Sequence, residues 1–293
     1  TREEPIAGLE ISDSFLRIAL LDLETRKLSK KNTDPEGSSQ GTYGAGETQK
    51  EEKIITVKAF REKPLKEGII VNGEIKDMNG LVAALKELLK EIKPRINYAI
   101  VSIPADNIYS RFYSFPKTLS GEKFEETMNL TIGFQLPVDP GKVYLDWEKL
   151  ESKEKNEIFL AAIPKVIVDV YMEAFVAAGL RTVAVEFYPI SVSRVINVPE
   201  NGNVLTIIFS KDKADISIIV GKTVRFNRLV PLSRFSDAVS FSDEIRKIAD
   251  FYESESSEGS RQGGTYGASK NSISKIALIG GNRIDISGLS LPV

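Results

Sequence analysis

The chemistry open to this chain rests on carboxylates, hydroxyls, lysines and backbone amides, because its 293 residues include no cysteine and no histidine. That composition removes thiolate nucleophiles, imidazole acid/base catalysis, haem ligation, Cys/His zinc sites and disulfides together. Oxygen-ligated magnesium survives, since Mg²⁺ prefers carboxylates and phosphates. Three short segments gather suitable groups. Glu10, Ser12, Asp13 and Ser14 crowd one turn; Ser210, Lys211, Asp212 and Lys213 crowd another; Leu278 to Gly281 reads LIGG and is followed by Asn282 and Arg283. Two opening turns that face each other can grip a phosphate chain, provided that glycine lets backbone N–H groups approach and an acid holds hydrated metal. Neither turn contains glycine. The serines of the first could donate to a phosphate, and the lysines of the second could neutralise one, although a charged hairpin tip more often serves plain solvent contact. Gly280 and Gly281 let a backbone pass beneath a purine or ribose; the competing reading is a strand-to-helix turn that needs positive φ.

Other polar groups point to structural roles. Asp139, Asp146, Glu148, Glu173 and Glu186 lie in or beside regular elements, and Glu186 interrupts the apolar run TVAVEFYP. A carboxylate there faces outward or is hydrogen-bonded, because burying it bare is costly. Arg225 and Arg228 flank Phe226 in a basic and aromatic stripe too short for specificity. With 39 basic and 41 acidic residues the formal charge is -2, so nucleic acid is not an expected partner. No catalytic residue and no metal ligand is assigned.

The elements that must position these turns follow from periodicity. Ile6 to Leu23 predicts a hairpin turning at Ser12 to Ser14, and Ile54 to Phe60 a third strand. Leu81, Val82, Leu85, Leu88, Leu89 and Ile92 recur at helical spacing after a cap at Asp77 or Asn79. Strands are predicted over Tyr98 to Ile103, Tyr109 to Phe115, Lys142 to Leu150, Glu157 to Pro164 and Thr182 to Phe187. Helices are predicted over Ser120 to Gly133, Lys165 to Ala178 with Gly179 as stop, and Pro189 to Val195. Beyond Asn203, strands over Val204 to Phe209, Ala214 to Val220 and Thr223 to Arg228 precede a helix over Phe241 to Tyr252 and a short strand over Ile276 to Ile279. The two hairpins that open each half suggest an internal duplication. SSQGTYGAG at Ser38 to Gly46 and SRQGGTYGAS at Ser260 to Ser269 are nearly one peptide; they read either as exposed loops or as contact elements anchored by Tyr43 and Tyr266. The first residues lack a secretory signal and no stretch approaches the roughly 20 apolar residues of a membrane span, so a cytosolic chain is expected.

Several blocks, in order, resemble the PilM family, actin-like cytoplasmic proteins of type IV pilus assembly that are themselves similar to the cell-division protein FtsA. They are IAGLEISDSFLRIALLD at Ile6 to Asp22, EGIIVNGEIKDMNGLVAALKELL at Glu67 to Leu89, and AIVSIPADNIYSRFYSFPKTLSGEKFEE at Ala99 to Glu126. The blocks FQLPVDPGKVYLDWEKL, EIFLAAIPKVIVDVYMEAFVAAGLRTVAVEFYPISVSR and KIALIGGNRIDISGL continue the series. The middle blocks, over about Glu67 to Arg194, are the most specific in order and spacing.

The resemblance implies an α/β, actin-like (ribonuclease H-like) fold of two lobes with an inserted small α+β domain and a reduced or missing second-lobe subdomain. It divides the chain into a first actin-like subdomain over 1–98, the small domain over 99–195 and a shortened second subdomain over 196–293. The interval from Arg228 to Lys275 is too short for the subdomain that normally closes over the base, and Val293 follows soon after the adenosine loop, as in a shortened chain or a reduced relative. By the same resemblance Glu10, Ser12, Asp13, Ser210, Lys211, Gly280, Gly281 and Asn282 are the residues that would touch a nucleotide. The chain departs from the family's Asp-x-Gly loops, with Glu10 and Ser12 in the first and Ile208 and Ser210 in the second, and isoleucine cannot hold magnesium. No cofactor is therefore expected, with ATP and magnesium kept as the alternative.

The function implied is a scaffold of type IV pilus assembly, held at the cytoplasmic face of the inner membrane by protein partners. Those partners are the tail of a PilN-like inner-membrane protein, other pilus or secretion assembly proteins, and copies of the chain itself through the small domain. The tail is expected near the early hairpin or the span 96–113. A GspL-like cytoplasmic domain of a type II secretion system and an actin-like ATPase with an altered site are the competing readings.

Overall fold

A computed structural model describes residues 4–27, 51–104, 106, 108–150, 155–199, 202–258 and 273–280. Both GTYGA segments, together with Gly281 and Asn282, lie outside the described residues. Alternation in the early sequence produces the first sheet. In β1 (Ile6–Ile11) and β2 (Phe15–Lys27), the residues Ala7, Leu9, Ile11, Leu16, Ile18 and Leu20 are buried on one face. β3 (Glu51–Pro64) pairs antiparallel with β2. A small hairpin follows, β4 (Ile70–Val71) and β5 (Glu74–Ile75), whose turn residues Asn72 and Gly73 have φ of 51° and 73°. Two consecutive left-handed residues are what a two-residue hairpin turn requires, and an Asn-Gly pair supplies them at least cost.

Asp77 caps α1 (Met78–Glu91) by accepting from the Gly80 amide at 2.9 Å, and Leu81, Leu85 and Leu88 of that helix are fully buried against the sheet. β6 (Tyr98–Ser102) then runs parallel to β1. The chain leaves this sheet to build a second unit. This comprises β7 (Tyr109–Pro116), α2 (Gly121–Gln135), β8 (Val143–Leu150) and β9 (Lys155–Pro164), with the strands ordered β7-β9-β8. It returns through α3 (Lys165–Ala178), which ends at Gly179 in the left-handed region, φ 84°, and β10 (Arg181–Glu186), which pairs parallel with β6.

This pairing revises the division expected from sequence. β6, α3 and β10 belong to the first sheet and its core, where Tyr171, Phe175, Val101 and Leu85 share one apolar cluster. The small sheet and its helix thus span Tyr109–Pro164 rather than 99–195. The physical reason is that parallel strands need a long crossover, and here the crossover between β6 and β10 contains a whole unit with its own core of Phe115, Phe124, Met128 and Ile158.

After α4 (Tyr188–Val195) comes a second large sheet: β11 (Asn203–Phe209), β12 (Lys213–Val220), β13 (Thr223–Pro231), then α5 (Ala238–Glu258) and β14 (Ile273–Ile279). Its order, β13-β12-β11-β14, repeats the β3-β2-β1-β6 portion of the first sheet, with two antiparallel pairings followed by a parallel one. The internal duplication is therefore present in the strand order. The second core gathers Leu205, Ile216, Ile218, Phe241 and Ile245. Arg225 of β13 pairs with Glu157 of β9 at 2.8 Å while lying over the Phe112 ring at 4.4 Å, which ties the second lobe to the small unit. The basic stripe noted in the sequence is thereby spent on internal contacts, since Arg228 also pairs with Glu244 at 3.1 Å.

Candidate functional site

The tips of the two opening hairpins face each other across a cleft of about 420 Å³. Glu10, Ser12, Asp13, Ser210, Lys211 and Gly280 all line it, as do Asp212 and Ile208. Most of their polar side chains are engaged elsewhere in the protein. The first turn closes on itself: the Ser12 amide donates to the Phe15 carbonyl at 3.0 Å, and the Ser12 hydroxyl oxygen accepts from the Ser14 and Phe15 amides at 3.3 and 3.1 Å. The serine that could have held a phosphate is satisfying backbone instead. Ser210 behaves alike, its amide and hydroxyl both donating to the Lys213 carbonyl at 2.9 and 3.1 Å. Lys211 stands exposed and pairs loosely with Glu67 at 3.6 Å.

Asp13 does structural work. Its two oxygens accept from the Asn72 and Gly73 amides at 2.9 and 3.0 Å, pinning the β4–β5 hairpin beneath the cleft. The Tyr171 hydroxyl donates to the Gly73 carbonyl at 3.1 Å and secures the other side of that hairpin. From the opposite lobe, the buried Lys213 ammonium reaches Asp13 at 3.4 Å and pairs closely with Asp106. Glu10 is paired with Arg17 at 3.5 Å, and Arg17 in turn with Glu62 at 2.5 Å while stacking over Phe15. Burial raises the Glu10 carboxyl above its ordinary range in spite of Arg17.

Sequence reasoning placed Lys213 in the second turn without its partners, and missed Asp106 and Asp215. The last had a visible signal, a lone acid within the apolar run ADISIIV. In register it lies directly across from Ile208, so the carboxylate that Ile208 cannot offer is present on the adjacent strand. Asp215 accepts from Asn227 Nδ2 at 2.6 Å and from the Ser217 hydroxyl at 3.1 Å. Burial pushes it up to about 6, against those two hydrogen bonds, which lower it. A folded-state pKa above the unfolded 3.8 means that the native protein binds the proton more tightly, so this group costs stability as pH rises from about 4 through about 6. A shift of this size corresponds to roughly 3 kcal/mol at the most. Asp215→Asn is expected to flatten that fall, measured as urea-unfolding free energies at pH 4.5 and 7; an unchanged slope would mean that Asp215 is not the group responsible.

Gly280 has a packing reason for its identity. Its φ is 98°, and a Cβ would meet the Phe209 carbonyl oxygen at 2.6 Å. The backbone freedom read from the sequence is thus used to pass close to β11. The acids of the cleft are mostly committed to protein partners. Of the cleft's five carboxylates among the described residues, Asp13 and Asp106 face Lys213, Glu10 faces Arg17, and Asp215 is held by Asn227 and Ser217, which leaves Asp212 at the exposed tip.

A second concavity, about 410 Å³, lies between the small sheet and the first lobe. Val185 and Phe187 form one wall, Tyr144, Leu145 and Ala161 another, with Ile108, Val168 and Met172 between them. β10 and β8 are each the terminal strand of their sheets among the described residues. Their apolar residues are open to solvent: Tyr144, Leu145 and Val185 are 47%, 37% and 38% exposed, more than interior positions of a strand retain. Asp146 and Glu186 border the groove, and Glu186 bonds Ser191 and Arg194, so its interruption of an apolar strand is a partnered one. Among the described residues of the early hairpin and the span 96–113, where the tail was expected, only Ile108 lines this groove.

The family described as type IV pilus assembly protein PilM matches residues 44–228, more than half of the chain. The chain belongs to the PilM family of type IV pilus assembly proteins. A solved structure of a PilM–PilN type IV pilus biogenesis complex shares the fold at 18% identity with a TM-score of 0.64, covering 99% of this chain and 84% of the other. Weaker likeness extends to the cytoplasmic domain of EpsL, an inner-membrane component of the type II secretion system of Vibrio cholerae, at 11% identity and TM-score 0.44, covering 78% and 71% of the two chains. A Bacteroides thetaiotaomicron protein with an actin-like ATPase fold gives 11% identity and TM-score 0.40 over 94% and 91%. The duplicated strand order gives a mixed α/β architecture of several sheets.

Proposed function

We propose that this chain is a non-enzymatic scaffold of type IV pilus assembly that grips the cytoplasmic tail of a PilN-like inner-membrane protein in the groove between β8 and β10. The observation that carries this is the groove itself, which combines exposed apolar walls with two open strand edges. An extended peptide could add backbone hydrogen bonds along an edge while its alternate side chains enter the apolar walls. The family match favours pilus assembly over type II secretion. Among the described residues no helix is long and apolar enough to cross a membrane, and the tail would tether the chain to the inner membrane from the cytoplasmic side.

In this reading the interlobe cleft is a structural joint. Engagement of four of its five carboxylates supports that role over ATP hydrolysis. The second lobe is reduced: among the described residues its sheet has four strands against five in the first, and one 3-10 turn and a single α-helix, α5, separate β13 from β14. The working division is a first lobe over 4–104 and 165–199, an inserted unit over 109–164 and a second lobe over 202–280.

Calorimetric titration with a synthetic PilN-like tail peptide tests the proposal. Micromolar binding with a negative heat-capacity change is expected, because apolar surface is buried. A scrambled peptide that bound equally well, or no binding at all, would remove the tail from this groove.

A further inference from the structure

Lys213 is 8% exposed and projects from the start of β12, in the second lobe, into a pair of first-lobe carboxylates. Asp13 and Asp106 come from separate segments, the β1–β2 turn and the loop after β6, and both converge on the one ammonium. Asp13 is itself fixed by two backbone amides of the β4–β5 turn, so the acceptor is held in place before the lysine arrives. A further cross-cleft pair, Lys211 with Glu67, is longer and exposed, and pairs of that kind contribute little. A largely desolvated cation between two acids is different: losing one partner strands the other charge.

We propose that Lys213 is an interlobe latch, an internal cation that stands between two carboxylates and holds the cleft shut without any bound ligand. Cleft opening then requires withdrawal of this one side chain, and a soluble ligand entering between the hairpin tips has to displace it. The contacts at the far end, Arg225 with Glu157 and the Ser193 hydroxyl donating to the Lys222 carbonyl at 2.9 Å, remain in place and act as the hinge.

The absence of native cysteine makes the test clean. Spin labels on Lys86→Cys of α1 and Lys247→Cys of α5, both exposed, report the separation of the lobes by pulsed electron–electron resonance. A single narrow distance is expected in the labelled parent. Lys213→Met, which keeps the aliphatic stem and removes the charge, is expected to broaden the distribution and move it to longer distances. The double variant Lys213→Met with Asp106→Asn guards against a trivial outcome, since it removes a stranded acid along with the lysine. It is expected to stay broad. An unchanged distribution in Lys213→Met, or return of the narrow peak in the double variant, would overturn the latch: the first would show that the pair does not hold the lobes, the second that only stranded charge had pushed them apart.

Discussion

Val185→Arg is expected to weaken tail-peptide binding by about 100-fold, or ~2.7 kcal/mol, while changing folding stability by no more than ~0.5 kcal/mol. Val185 sits on the terminal strand β10 and lines the groove, yet is 38% exposed, so arginine can be accommodated by the fold but not by an apolar occupant. An apolar occupant would have to strip water from the guanidinium and offer it no acceptor of its own. The matched control is Val183→Arg. Val183 is 51% exposed on the same strand but does not line the groove, so the same charge there is expected to leave affinity within about twofold, because it meets no occupant. Equal losses at both positions would indicate a nonspecific charge effect, and no loss at Val185 would move the peptide elsewhere.

Phe175→Ala and Phe241→Ala should be the most destabilising single changes, each costing about 3–5 kcal/mol. Both rings are fully buried, Phe175 beside Tyr171 in the first core and Phe241 between Phe209 and Phe235 in the second, with ring centroids 5.7 and 5.1 Å away. The two cores are separate clusters. Hydrogen exchange read peptide by peptide is therefore expected to show Phe175→Ala loosening β1, β2, α1 and α3, and Phe241→Ala loosening β11, β12 and α5, with the two effects additive within about 0.5 kcal/mol. Uniform loosening of both lobes by either change would mean that they unfold as one unit.

These core residues were legible in the sequence because amphipathic spacing exposes them. Leu81, Leu85 and Leu88 declare the buried face of α1, and Phe241, Ile245 and Ile248 that of α5. Ends were less legible: α5 runs over Ala238–Glu258, longer at both ends than its apolar stripe, because the polar turns that flank the stripe still propagate the helix. The β4–β5 hairpin escaped notice since two-residue strands have no periodicity, although its Asn72-Gly73 pair was in plain view. Half of the cleft was readable. The turns at Ser12 and Ser210 were found, whereas the union of Lys213 with Asp106 and Asp13 was not, because 107 and 200 residues separate the partners and no local pattern links them. The same blindness misplaced the boundary at 99. Whether Tyr98–Ser102 belongs with what precedes or follows it depends on its pairing with β1, which only the folded chain declares.

Helix α3 connects the apolar groove with the interlobe cleft. Val168 and Met172 look into the apolar groove, while Tyr171, between them on the next face, holds the carbonyl of Gly73, whose amide is bound to Asp13, the residue that Lys213 approaches from the other lobe. Side chains this tightly packed do not yield independently. A body wedged under one flank of that rod leans, through a single hydroxyl, on the clasp between the lobes.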